Sequence, residues 1–162
     1  MKYGRFEDLP VWQAASELAV RVFALGEKIP LRRQRSLRDQ IERAALSVSN
    51  NIAEGFERGT TNELLSFLYI ARGSAGEVRS MFCVMERMGA FSGLKSEISN
   101  LKSLVESISR QLRGWAQHLQ DTSIRGPRHL TIKSRQFEQA RRDRDEFLKE
   151  LQTITNRPRG TA

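Results

Sequence analysis

The sequence predicts an all-α protein, and three observations carry that prediction. Apolar residues recur at three- and four-residue spacing through four long segments, the pattern of helices with one buried face. Turn signals stand between the segments, at Gly26–Pro30, Gly59–Thr61 and Gly89–Gly93. No stretch alternates with the period of a strand, and no repeat of solenoid length occurs. Long helices joined by short connections pack as antiparallel neighbours, so the expected architecture is an up-down four-helix bundle over residues 1–120.

The first helix is expected from about Leu9 to Lys28, with Asp8 as N-cap and Pro10 in the first turn. Val11, Ala14, Ala15, Leu18, Val22, Leu25 and Ile29 form its apolar stripe, and Pro30 ends the pattern. A second helix begins between Leu31 and Ser36 and runs to about Arg58. Leu37, Ile41, Ala44, Val48, Ile52 and Gly55 share one side of it. Thr60 or Thr61 caps a third helix, from Asn62 to about Met88, with Glu63 in its first turn. Leu64, Leu68, Ala71, Ala75, Val78 and Phe82 make its main stripe. Ile70, Ser74, Glu77 and Met81 form one flank, and Leu65, Tyr69 and Cys83 a third side. A helix so widely apolar points to burial on more than one face, hence to a subunit contact as well as a core. The mid-helix stretch Gly73–Gly76 costs helix propensity, so its small residues are expected to admit a close neighbour such as Ala44 and Ala45. Ser92 is expected to cap a fourth helix from about Gly93 to Leu119, with Leu94, Ile98, Leu101, Val105, Ile108, Leu112, Trp115 and Leu119 on its seam.

After Gln120 the composition changes. Residues 121–133 read as a linker and 134–155 as an amphipathic extension with Phe137, Ala140, Phe147, Leu148, Leu151 and Ile154 on one side. Residues 156–162 read as a disordered tail.

The chain has 162 residues and a net charge of +8, with pI near 10.4, so a polyanion is the natural partner. One cysteine, Cys83, excludes an intrachain disulfide and fits a reducing cytoplasm. The opening residues contain no apolar leader, and no apolar run is long enough to span a membrane.

Chemistry is poorly supported. The two histidines, His118 and His129, both come late, and no glutamate stands three residues before either, as a di-iron bundle requires. There is no cysteine pair for zinc, no phosphate loop and no serine-nucleophile elbow. We therefore expect no enzyme activity and no cofactor or metal. What stands out is a polar stripe beside the apolar one on the second helix: Arg43, Ser47, Asn50 and Glu54, with Asn51 on the border. Ser74 and Glu77 of the third helix are expected to complete it, with Arg43 as counter-ion of Glu54 and Glu77. It reads either as a buried network that sets helix register and subunit geometry or as a contact site for a ligand or nucleic acid.

Two basic groups are the candidate nucleic-acid contacts. Lys28, Arg32, Arg33, Arg35 and Arg38 crowd the corner between the first two helices. Arg125, Arg128, Lys133, Arg135, Arg141, Arg142 and Arg144 lie in the C-terminal region, where ten Lys/Arg face six Asp/Glu. Aromatic residues are sparse near both, which favours sequence-independent phosphate contact over base stacking.

Three ordered stretches carry a family resemblance: Phe6–Gln13 (FEDLPVWQ), Gln40–Gly55 (QIERAALSVSNNIAEG) and Phe67–Glu77 (FLYIARGSAGE). Over residues 5–120 the chain resembles the four-helix-bundle proteins encoded in ribosomal-RNA intervening sequences. That family includes the accessory variability determinant of diversity-generating retroelements. The resemblance implies a homopentameric barrel with a basic, nucleic-acid-binding surface and no catalysis. In the retroelement branch it implies a reverse transcriptase and its template RNA as partners in mutagenic cDNA synthesis. Arg43, Ser47, Asn51, Glu54, Ser74 and Glu77 match motif positions as a fold and interface signature. The extension after Gln120 departs from the short family form. The expected function is thus a non-catalytic, oligomeric nucleic-acid-binding accessory protein; the alternative is a structural or protein-interaction module with no direct nucleic-acid role.

Overall fold

In the computed structural model, residues 3–121 are described, together with Ala140, Asp143, Arg144 and Glu146–Leu148. The chain divides into two units, Met1–Gly126 and Pro127–Ala162. In the second, the described residues are helical and exposed, Phe147 and Leu148 among them. The remaining expectations for residues 122–162 lie outside the described residues.

The first unit is all-helical. A 3-10 turn, Phe6–Asp8, leads into α1 (Pro10–Gly26); a short α2 (Ile29–Arg32) follows, then α3 (Arg35–Glu57), α4 (Thr61–Arg87), a 3-10 segment Gly89–Leu94, and α5 (Lys95–Asp121). Helix α3 packs on α4, α4 on α5, and α1 on both α3 and α5, so the four long helices enclose one core. The expected stripes supply it: Leu18, Val22, Leu25, Ile41, Val48, Ile52, Leu64, Leu68, Val78, Phe82, Ile98, Leu101, Val105 and Ile108 are fully buried. Burying a side chain of this size contributes about 1.5–3 kcal/mol before chain entropy is counted.

The boundaries differ from the sequence reading in physically interpretable ways. Asp8 does not cap α1. Leu9 holds the N-cap position with no side-chain bond, because Leu9 is needed in the core. The entry is held instead by Phe6, whose ring meets Trp12 edge-on at 5.1 Å, and by Gln13, whose side-chain amide donates to the Glu7 carbonyl at 2.9 Å. Arg5 also pairs with Glu7 at 2.6 Å, and that hydrogen bond holds the Glu7 carboxyl below its usual range. Pro30 does not merely end a helix; it sits in the first turn of α2, where its missing N–H costs nothing. Ile29, expected in the stripe of the first helix, is 58% exposed, and Leu31 is the residue that enters the core. Ser92 caps nothing. The Gly89–Leu94 segment winds as a 3-10 helix that turns Phe91 inward, and α5 starts only at Lys95.

The turn between α3 and α4 is closed by chemistry that the sequence announces. The Thr60 hydroxyl oxygen accepts from the Glu63 N–H at 3.2 Å, and the Thr60 hydroxyl lies 2.7 Å from the Glu63 carboxylate. Within the Gly73–Gly76 stretch, however, the glycines are not the residues that meet a neighbour. At Gly73 and Gly76 an added Cβ meets nothing within 4 Å. At Gly55 it would lie 2.6 Å from Cβ of Phe67 and 3.2 Å from Leu64. Gly55 is the position at which α4 crosses close to α3.

Along α4 and α5 the register is marked at both ends. Gln120 donates to the Tyr69 hydroxyl at 2.8 Å, and Lys102 pairs with Glu86 at 2.7 Å. The hydrogen bond to Glu86 raises the Lys102 ammonium above its usual pKa. Since residue 69 meets 120 and residue 86 meets 102, α4 and α5 run antiparallel.

Replacing Gly55 by alanine tests the crossing. Alanine is the better helix former by about 1 kcal/mol, yet overpacking against Phe67 should make Gly55→Ala destabilising by about 1–3 kcal/mol. Gly114→Ala, on an exposed side of α5 with open space around it, should stabilise by about 0.5–1 kcal/mol. Urea denaturation followed by circular dichroism reads both.

Candidate nucleic-acid interface

The basic corner is built by one buried residue. Leu31 is fully buried, and a four-residue helix that buries its single leucine must present its neighbours outward. Arg32, Arg33 and Arg35 are exposed, and their guanidiniums have no hydrogen-bond or ion-pair partner among the described residues. Lys28 and Arg38 differ from them. Lys28 pairs with Glu97 of α5, and Arg38 pairs with Glu42 one turn along α3 at 3.1 Å. The Glu42 carboxylate lies where any side chain at Gly26 would stand, so Gly26 makes room for it. Of the five expected contacts, three are therefore available to an anion and two serve the corner itself. Arg125, Arg128, Lys133, Arg135, Arg141 and Arg142 lie outside the described residues; Arg144, on the second unit, is exposed.

The polar stripe separates into two groups. Ser47, Asn51 and Ser74 come together. The two serine hydroxyls are 3.0 Å apart across the α3–α4 seam, and the Asn51 amide donates to the Ser47 carbonyl at 2.7 Å and to its hydroxyl at 2.9 Å. Ser74 also lies 3.2 Å from the Ile70 carbonyl, so these groups satisfy one another. Arg43, Glu54 and Glu77 are exposed and do not join them. Arg43 is not the counter-ion of Glu54 or Glu77 within the protomer. Glu54 pairs with Arg58 at 2.6 Å, and the Arg58 guanidinium lies 5.2 Å from the centre of the Phe67 ring. Glu54 thus belongs to the α3–α4 turn, next to Gly55. Helical periodicity placed Glu54 in one line with Ser47, but an i,i+4 partner on its own helix lies nearer than anything across the seam.

A second basic surface, absent from the sequence reading, lies between α4 and α5. Arg72 and Arg79 of α4 and Arg110 and Arg113 of α5 line an open groove of about 570 Å³ with Gly76, Glu106 and Ser109. Part of the signal is in the sequence: Arg72 and Arg79 are seven residues apart, two turns along one side of a helix. What the sequence withholds is the register that sets Arg110 and Arg113 opposite them. Among the described residues no group of His, Cys, Asp or Glu is arranged to hold a metal ion, and no helix is long and apolar enough to cross a membrane.

The family described as 23S rRNA-intervening sequence protein matches residues 7–114. No curated protein matches the chain. Among solved structures, a protein of unknown function from the S23 ribosomal protein family of Bacteroides thetaiotaomicron VPI-5482 is similar at a TM-score of 0.60 and 20% identity, over 66% of this chain and 98% of that one. That likeness shows the fold.

The serine pair makes a measurable claim. Ser47→Ala should cost about 1 kcal/mol. The Ser47→Ala/Ser74→Ala double variant should cost less than the sum of the two, with a coupling of about 0.5–1 kcal/mol in a double-mutant cycle. Strict additivity would show that the two hydroxyls do not interact.

Proposed function

This chain belongs to the 23S rRNA-intervening sequence protein family, and we propose that it is a non-catalytic, oligomeric accessory protein that binds nucleic acid. The observation that carries the reading is the trio Arg32, Arg33 and Arg35, exposed and without carboxylate partners on a chain of net charge +8. Unpaired guanidiniums gain most from phosphate, which they contact bidentately. The contact is to the backbone, so affinity depends on salt and little on sequence.

The reading extends to assembly and partners. An up-down bundle that forms a homopentamer would cover the apolar side chains left open on the protomer, among them Val20, Leu46, Ile70 and Val84. Arg43 and Glu77, which have no partner among the described residues, would find theirs across that contact. The partner is RNA or DNA in the cytoplasm. In its most specific form the proposal is a complex with a retroelement reverse transcriptase and its template RNA, supporting mutagenic cDNA synthesis.

Gel shifts with single-stranded RNA at low salt test the core of this. Binding should weaken steeply as salt rises, and Arg32→Ala/Arg33→Ala/Arg35→Ala should reduce the slope of log affinity against log salt by about 2. Absence of any shift at low salt would overturn the reading. Light scattering on the eluting protein should give five times the 18.5 kDa chain mass, and a monomer would refute the assembly.

A further inference from the structure

We propose that the groove between α4 and α5 is a phosphodiester-binding track for a single nucleic-acid strand, a site that rests on the nucleic-acid reading above and gives it a location. Arg72, Arg79, Arg110 and Arg113 line one groove, and the only acid among its lining residues is Glu106. None of the four arginines has a hydrogen-bond or ion-pair partner among the described residues, although α3 and the α4–α5 ends pair their cations at Arg38, Arg58 and Lys102. Four like charges against a single carboxylate repel one another, and an anion in the groove relieves that repulsion.

Shape then selects the anion. Arg72 and Arg79 are seven residues apart on α4, about 10 Å along the helix axis, with Arg110 and Arg113 on the facing helix. The α4 rail spans about 10 Å and the α5 pair about 4.5 Å; the longer rail exceeds the size of one phosphate and suits a run of them. Between Arg72 and Arg79 stands Gly76, where an added Cβ meets nothing within 4 Å. The groove is open there because residue 76 has no side chain. Ser109 supplies a hydroxyl to the lining. No aromatic side chain lines the groove, so bases are not stacked in it and the contact is to the backbone. The groove lies midway along the bundle, whereas the Arg32–Arg35 corner lies at the end where Lys28 meets Glu97.

The test uses the full chain and a fluorescein-labelled poly(U) strand, read by fluorescence anisotropy across a salt series. Arg72→Ala/Arg110→Ala should weaken binding about tenfold or more at low salt and lower the salt slope by about 1.4, the share of two phosphate contacts. Gly76→Glu removes no contact and its Cβ meets nothing within 4 Å, yet it should weaken binding by placing a carboxylate in the track. Circular dichroism confirms that both variants fold. If wild type binds and both variants match it in affinity and slope, the groove is not the site, while the nucleic-acid reading stands on the corner. If wild type does not bind poly(U) at low salt, both readings fall. If inorganic phosphate displaces the strand far better than chloride at matched ionic strength, the groove holds single anions and the strand proposal is overturned.

Discussion

The contact between α3 and α4 is the constraint on which the rest of this bundle depends. Small residues stand in it: Ser47 and Gly55 on one helix and Ser74 on the other. At one end Phe67 lies where any Cβ on Gly55 would intrude; in the middle two serine hydroxyls meet at 3.0 Å. Hydroxyls are short, so a bond between them requires the backbones to come close. Glycine permits that approach at Gly55. A shift of one turn would also break the bond between Ser47 and Ser74.

With that seam set, the positions of the charges follow. The core is filled by Leu, Ile, Val and Phe, and no buried side-chain nitrogen or oxygen among the described residues lacks a partner. Arginines are accordingly confined to the outside, and the helix registers decide which of them become neighbours. Tyr69 with Gln120 and Lys102 with Glu86 align α4 and α5 so that two arginine pairs share one groove. Leu31, by docking a single turn of helix, turns Arg32, Arg33 and Arg35 outward at the corner. The two basic surfaces thus have different structural origins: one comes from a run of cations in the sequence, the other from helix pairing.

The three family stretches also acquire distinct physical roles. Phe6–Gln13 clasps the start of α1 through Phe6, Trp12 and Gln13. Gln40–Gly55 supplies the serine and asparagine of the seam and the glycine of the crossing. Phe67–Glu77 supplies Phe67 and Ser74 as their partners. Arg43 and Glu77 remain on the outside, where the fold of the protomer makes no use of them.

The sequence by itself determined the all-α class, the four long helices and most of their buried stripes, because a period of 3.6 and local turn chemistry are properties of neighbours along the chain. It also narrowed the cap of α4 to Thr60 or Thr61 and located the basic corner, which are local in the same sense. Tertiary structure alone decided which glycine admits a helix, which acids answer which arginines, and that Arg72 and Arg79 face Arg110 and Arg113. Gly55 and Gly76 look alike in sequence, and Glu54 shares a stripe with Ser47. Only the packing of α4 against α3 and α5 separates them, since distances between helices depend on register and volume summed over the whole core.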